Sequence, residues 1–319
     1  MNALRHALRR MRRAPILSLV VIGTLTATIG ITVAAYTLVD RVLVRLFPFE
    51  QPEGLVVLWE KSATTPRDQV AAANFLDWQK NATSFEAMAA FQYDSATLTG
   101  VENPEQLRAI RMTAEMLPLL GVQAVAGRWF NASEGQQTDR VAVLSYTLWQ
   151  RRFNADASVV GRVVTIDGWP HRVVGVMPHE FRFPDDDTEL WLPLVLDSQA
   201  AQQRARRNLN VVGRLRPGET SATAEAELGV IATRLALDYP STNEGWGVSV
   251  IPADDAVTED ARPALLAMLG AAVLVLVIAC ANLTSMLLIR ASERAKDFAV
   301  RTAIGARTHH IAREIFVET

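Results

Sequence analysis

Arg294, Asp297 and Arg301 stand near the end of the chain, separated by 3 and 4 residues. On a helix that spacing stacks them on one face, where Asp297 can pair with both arginines at about 0.2–0.5 kcal/mol each. So small a gain does not make the stretch a folding device, and its charges read instead as a surface for another molecule. Ala295, Phe298, Ala299, Thr302 and Ala303 give the same helix a mildly apolar side. Gly305 suits a helix C-cap, and Thr308 can cap a renewed helix that turns apolar at Ile311, Ile315 and Phe316.

Elsewhere the chemistry is sparse. No "GK" pair occurs, so the G-x-x-x-x-G-K-[ST] phosphate cradle is absent, as are G-x-S-x-G and H-E-x-x-H. No catalytic, cofactor or metal residue is assigned. His171 and His179 flank an expected strand end, and the adjacent His309 and His310 point apart on a helix, so all read as satisfied or solvated. Asp185, Asp186, Asp187 and Glu189 cluster without EF-hand spacing and read as a solvated acidic loop. The seven tryptophans all fall between residues 59 and 246 and read as core and interface residues.

The elements that hold the charged segment are set by hydropathy. Pro15–Val39 (25 residues) and Pro263–Ile289 (27 residues) contain no charge. At 1.5 Å per residue each reaches roughly 37–40 Å, enough to span a hydrocarbon core of about 30 Å. Both are expected to cross the membrane, the first as a retained anchor rather than a cleaved leader. Arg5, Arg9, Arg10, Arg12 and Arg13 precede the first span, and basic residues exceed acidic ones after the second. Between the spans lie 21 basic and 30 acidic residues. Basic excess marks the cytoplasmic side, so both ends are placed there and residues 40–262 outside. The whole-chain charge of −2 favours no nucleic-acid partner.

Within the first span Gly23, Ala27, Gly30 and Ala34 share a face. That face either admits a second helix closely or reflects ordinary membrane composition. Asn282, in the second span, needs a polar partner and is read as a helix-packing residue.

The outer region reads as α+β. Strands are expected at 54–60, 140–145, 209–218 and 245–255, with a hairpin at 162–178 turning on Asp167-Gly168. Residues 74–91 read as two short helices, and 146–153 as an amphipathic one. A further helix over 220–240 has Thr220 as N-cap and an apolar stripe of Ala224, Leu228, Ile231 and Leu235. Its position between two strands suggests parallel pairing through a helical crossover. A short helix is expected around Val257–Arg262. The first strand and the last unit must both lie near the membrane, which makes about 90–200 an inserted lobe.

"ERAKDFAVRTAIGA" (293–306) resembles the cytoplasmic signature of FtsX/MacB-type ABC transporter permeases, with Asp297 where that family usually carries Glu. "LLGVQAVAGRWF" (119–130), "VAVLSYTLWQRRF" (141–153) and "VVGRVVTIDGWPHRVVGVMPHEFRFP" (159–184) are similar to stretches of the MacB-like extracytoplasmic core domain in a large duplicated-permease subgroup. The resemblance covers most of the chain. It implies residues 1–14 as a cytoplasmic lead-in, 15–39 and 263–289 as spans, 40–262 as the periplasmic core domain, and 290–319 as the coupling segment with the start of a truncated permease domain.

The same resemblance implies a non-catalytic permease subunit in a bacterial inner membrane. A separate cytoplasmic ABC ATPase would dock on Glu293, Arg294, Asp297, Arg301, Gly305 and Ala306. A second copy or second permease half, and a periplasmic or outer-membrane component, would complete the assembly. Family members have four spans per module, so two spans imply an N-terminal fragment. The competing reading of the topology is a membrane-anchored extracytoplasmic sensor. An extracytoplasmic enzyme has no nucleophile–base or metal constellation behind it.

Overall fold

In "LVVLWEK" the residues Val56, Leu58 and Glu60 alternate inward, and that period of two builds the first strand of an eleven-stranded sheet. The computed structural model describes residues 54–100, 104–135, 139–258 and 262–303, with helical positions 23, 24, 26, 28–34 and 37. The elements run β1 (Leu55–Lys61), β2 (Val70–Ala71), α1 (Ala72–Asn81), β3 (Phe85–Thr99), β4 (Glu105–Met112), α2 (Met116–Leu120), β5 (Ala126–Gly127), β6 (Val141–Leu144) and α3 (Tyr146–Phe153). They continue with β7 (Val163–Ile166), β8 (Trp169–Val176), β9 (Leu190–Pro193), β10 (Arg207–Leu215), α4 (Ser221–Asp238), α5 (Pro240–Asn243), β11 (Gly247–Pro252), α6 (Ala253–Thr258) and α7 (Arg262–Ala303). Residues 46–257 form one compact unit; the helical positions before 38 and α7 fall in another.

The sheet order is β11-β1-β10-β3-β4-β9-β6-β8-β5, with β2 against β10 and β7 against β3 and β8. β3 is the long member. Phe85–Phe91 pair with β10, and Phe91–Leu98 pair with β4 on the opposite edge. One core gathers Phe75 and Trp78 of α1 and Ala224 and Leu228 of α4 over Val56, Leu58, Met88, Val211 and Val250. A second, at the other end of the sheet, gathers Leu148 and Phe153 of α3 with Leu98, Leu107, Leu144, Val173 and Leu190. A third covers the reverse face, with α2, Phe130, Phe183 and Trp191 packed on Ala89, Ile110, Val143 and Val212.

The local signals for the helices work as expected. Thr220 accepts from the Thr223 amide at 3.2 Å while the Thr223 hydroxyl accepts from the Thr220 amide at 2.9 Å, a full capping box for α4. Ser145 caps α3 by accepting from Leu148 N. Asp167 and Gly168 both take positive φ, 51° and 79°, in the two-residue turn between β7 and β8.

Three expectations fail. Residues 85–91 are strand, not a second short helix. This part of β3 is covered on both faces, so Phe85, Met88, Ala89, Ala90 and Phe91 are all buried and the alternation that marks a strand disappears. A bulge opposite Arg214/Leu215 blurs it further. β10 and β11 do run parallel, but they are not paired: β1 lies between them and is antiparallel to each. A strand from the start of the chain takes the central place that a local crossover would have closed. The short helix before α7 falls at Ala253–Thr258, earlier than expected, because Pro252 ends β11 and two aspartates suit its first turn.

β5 and β8 meet without room for side chains. A Cβ on Gly175 would lie 2.2 Å from the Arg128 carbonyl oxygen, and one on Gly127, at φ +71°, 2.2 Å from the Val174 carbonyl oxygen. This contact seats Arg128 in a fork on Glu134, at 2.8 and 2.6 Å, and Phe130 in the core. The stretch "GRWF" is thereby explained by packing. Gly175→Ala is expected to cost at least about 2 kcal/mol, because the blocking atom is backbone and cannot swing away; equilibrium unfolding of the full chain in detergent measures it. Glu227 of α4 pins the turn before β3, accepting from Thr83 N (2.7 Å), Thr83 Oγ1 (2.7 Å) and Ser84 N (2.9 Å). Desolvation pushes this carboxyl up, but the bonds from Ser84 and Thr83 win and hold it at about 2. A depressed carboxyl stabilises above its unfolded value and loses that contribution as pH falls towards 2. Glu227→Gln should therefore flatten the fall in melting temperature between about pH 4.5 and 2.

Candidate functional site

The two apolar segments join the outer unit through adjacent strands. β1 is the first described strand after the first segment; β11 is the last before α6 and α7. The two strands pair antiparallel over six positions, from Val56↔Pro252 to Lys61↔Gly247. The start of β1 and the end of β11 thus lie side by side, at one end of one ladder.

Two carboxylates fasten this ladder to the rest of the unit. Glu60 of β1 is 1% exposed and forms an ion pair with Arg207 of β10. It also accepts from Asn74 Nδ2 of α1 at 2.8 Å and from Ala71 N at 3.2 Å. Arg207 donates onward to the Thr242 carbonyl at 2.9 Å and stacks on Trp246 at 3.5 Å. Asn74 accepts from Asn243 and from Arg204, and Arg204 also pairs with Asp77 at 2.7 Å. Burial pushes the Glu60 carboxyl up, while the bonds from Asn74, Arg207 and Ala71 pull it back only in part. Glu225 of α4 holds the outer side. It accepts from Lys61 of β1 at 2.7 Å and from the Val250 amide of β11 at 2.9 Å. Desolvation raises this carboxyl, but those two bonds outweigh it and leave it below its usual value.

Sequence reasoning missed both groups. Glu60 does carry a signal: it falls two residues after Leu58, on the inward side of an alternating strand, where a charge demands a partner. Its partner lies 147 residues away, and nothing local points to it.

α7 runs 42 residues without interruption, about 63 Å at 1.5 Å per residue. Its Pro263–Asn282 stretch has a mean hydropathy of 2.8, the one such span found among the described residues. Leu266, Leu274, Val277 and Ile278 are all more than half exposed, which a core helix of a soluble domain would not allow. Glu293, Arg294, Asp297 and Arg301 all fall on the last turns of this helix. Gly305 and Ala306 lie outside the described residues, as does Ala27. Gly23, Gly30 and Ala34 are helical and exposed, with open space where a Cβ would stand on either glycine. Asn282 is exposed on α7 and has no hydrogen-bond partner among the described residues. The threonine hydroxyls nearby turn back on their own helices, Thr28 to the Thr24 carbonyl and Thr284 to the Cys280 carbonyl. The acidic loop spends its carboxylates locally: Asp185 accepts from Thr188, Asp186 pairs with Arg182 and Asp187 with Arg108.

Comparison with known proteins adds the family. The description "MacB-like periplasmic core domain" matches residues 16–231, and "FtsX-like permease C-terminal" matches 269–319. The chain is similar to the macrolide export ATP-binding/permease protein MacB of Burkholderia thailandensis, 26% identical over 62% of this chain and 30% of that one. It is also similar to the MacB of Campylobacter jejuni, 23% identical over 77% of this chain and 38% of the relative. The chain thus spans about a third of the length of these curated relatives. The crystal structure of the periplasmic region of MacB from Actinobacillus actinomycetemcomitans aligns with a TM-score of 0.48 at 15% identity, covering 66% of this chain and 94% of that one.

Glu60→Gln keeps an acceptor for Asn74 but strands the Arg207 guanidinium in a site where it is only 10% exposed. The expected cost is about 3–5 kcal/mol. Replacing both partners, Glu60→Leu with Arg207→Met, should recover the part due to the stranded guanidinium but not the part due to Asn74 Nδ2 and the Ala71 amide, which lose their acceptor; a double-mutant cycle on the full chain in detergent separates the two.

Proposed function

The chain belongs to the MacB-like periplasmic core domain family, and on that premise we propose that it is a permease subunit of an ABC-type transporter. It spans a bacterial inner membrane twice, at 15–39 and 263–289, with residues 40–262 in the periplasm and both termini in the cytoplasm. Residues 90–200 are an inserted lobe. The subunit does no chemistry of its own. A separate ATPase docks on the cytoplasmic end of α7 and on the turn after it, through Glu293, Arg294, Asp297, Arg301, Gly305 and Ala306. Closure of the nucleotide-bound ATPase moves α7, and the β11–β1 ladder carries that motion into the outer domain. The moved domain exports a substrate or drives a periplasmic partner. A second copy or second permease half packs on Gly23, Ala27, Gly30, Ala34 and Asn282.

The observation that carries this reading is the order of elements along the chain from the sheet to the charged motif. α7 holds the motif at one end, and α6 and β11 precede it in the chain. β11 in turn pairs with the strand that follows the first apolar segment. The order of the two family matches, core domain then permease, supports the same arrangement. The relatives named above carry both ATP-binding and permease in their names, which supports an ATPase as the motor of the assembly.

The expected outcome is co-purification of the detergent-solubilised chain with a cytoplasmic ABC ATPase. Arg301→Glu, or a residue inserted after Gly305, should reduce that recovery at least tenfold without loss of the folded periplasmic unit. Recovery unchanged in both variants would remove the coupling role.

A further inference from the structure

At the end of the sheet away from β1 and β11 lies a cavity of about 390 Å³ that no role above uses. Its base is apolar, built from Val141, Ile166 and Leu192, each at most 1% exposed. Its rim is not. Arg111 of β4 donates through Nε to Asp94 at 2.6 Å, and its terminal nitrogens have no bond among the described residues. Arg140, just before β6, has no carboxylate partner among the described residues; its guanidinium lies 4.2 Å over the Trp169 ring. Trp169 is 57% exposed at the tip of the β7–β8 hairpin, an unusual place to leave an indole.

His171 sits behind this rim, 8% exposed, with Nδ1 donating to the Trp169 carbonyl at 3.0 Å. Burial lowers its affinity for a proton; the Trp169 carbonyl opposes that, Arg140 and Arg111 reinforce it, and Asp167 opposes it weakly. Arg111, Arg140 and His171 all line the one cavity, so both guanidinium groups bear on one imidazole. Asp167 is already committed, accepting from the Thr97 amide at 2.7 Å.

We propose that this cavity binds a small organic carboxylate with an apolar body. Two guanidinium groups with free N–H donors match the planar fork of a carboxylate. The apolar base and the indole take the remainder, and the volume is within the range of small-molecule sites. A single negative charge suits the rim better than a double one, since Asp94 and Asp167 already offset part of its positive charge.

The test uses the full chain in detergent micelles, with benzoate as probe and benzamide as its uncharged control. Imidazole resonances report the site, His171 being assigned by its loss in His171→Gln. Benzoate should shift His171 saturably and raise its pKa, because a bound anion offsets the field of the two arginines. Benzamide should do neither. Arg140→Ala and Arg140→Gln should each weaken benzoate about tenfold or more while the remaining spectrum stays folded. A non-saturable response, an equal response to benzamide, or unchanged affinity in both Arg140 variants would overturn the assignment.

Discussion

The ladder between β1 and β11 is the constraint on which the outer unit depends. Six residue pairs bring together strands that stand nearly 190 residues apart. Closing so long a loop costs on the order of 4–5 kcal/mol in chain entropy. Ladder hydrogen bonds alone return little against water, so the closure has to be held by side chains. Glu60 and Glu225 supply two such anchors, one on each side of the pair, and α1 and α4 bury the face between them. The same closure puts both connections to the apolar segments at one edge of the sheet.

The anchors differ in kind. Glu225 is half-exposed and its partners are an ammonium and a backbone amide, so solvent can replace either at modest cost. Glu60 is sealed, and both of its oxygens accept, from three groups on three different elements. A sealed ion pair rarely adds much net stability over a hydrophobic pair of the same shape. What it does is reject alternatives: a one-residue slip of β1 would turn Glu60 outward and bury Trp59 or Lys61 in its place, leaving Arg207 without a counter-charge.

Legibility from the sequence followed the range of the forces involved. The cap at Thr220, the Asp167-Gly168 turn and the apolar Pro263–Asn282 stretch are local, and each could be placed from neighbouring residues. The 85–91 segment could not, because burial on both faces erases period-two alternation and leaves a pattern that also fits a helix. The order β11-β1-β10 was hidden for another reason: the central strand is recruited from the far end of the chain. The charged motif rests on its spacing and its resemblance to a family, whereas the Glu60 network exists only after the fold has gathered β1, β10 and α1. The rim around Trp169 was equally silent, since Arg111, Arg140 and His171 come from three separate strands or their approaches.

β3 has one more consequence. Its first part belongs to the sheet end that holds β1 and β11, its second to the end that holds α3, and no loop separates them. The return crossing, from β9 to β10, is irregular and contains a single tight turn at Ala200–Gln202. One link is thus a continuous strand of 15 residues, and the other is an irregular segment tied down through Arg204 to Asn74 and Asp77. Such a pair cannot open like a jaw. Displacement of one end relative to the other must appear as torsion along β3, spread over many peptide units and resisted by the shared core on the reverse face. The two ends of the outer unit meet in the middle of a strand, at Phe91, where β3 trades one neighbour for another.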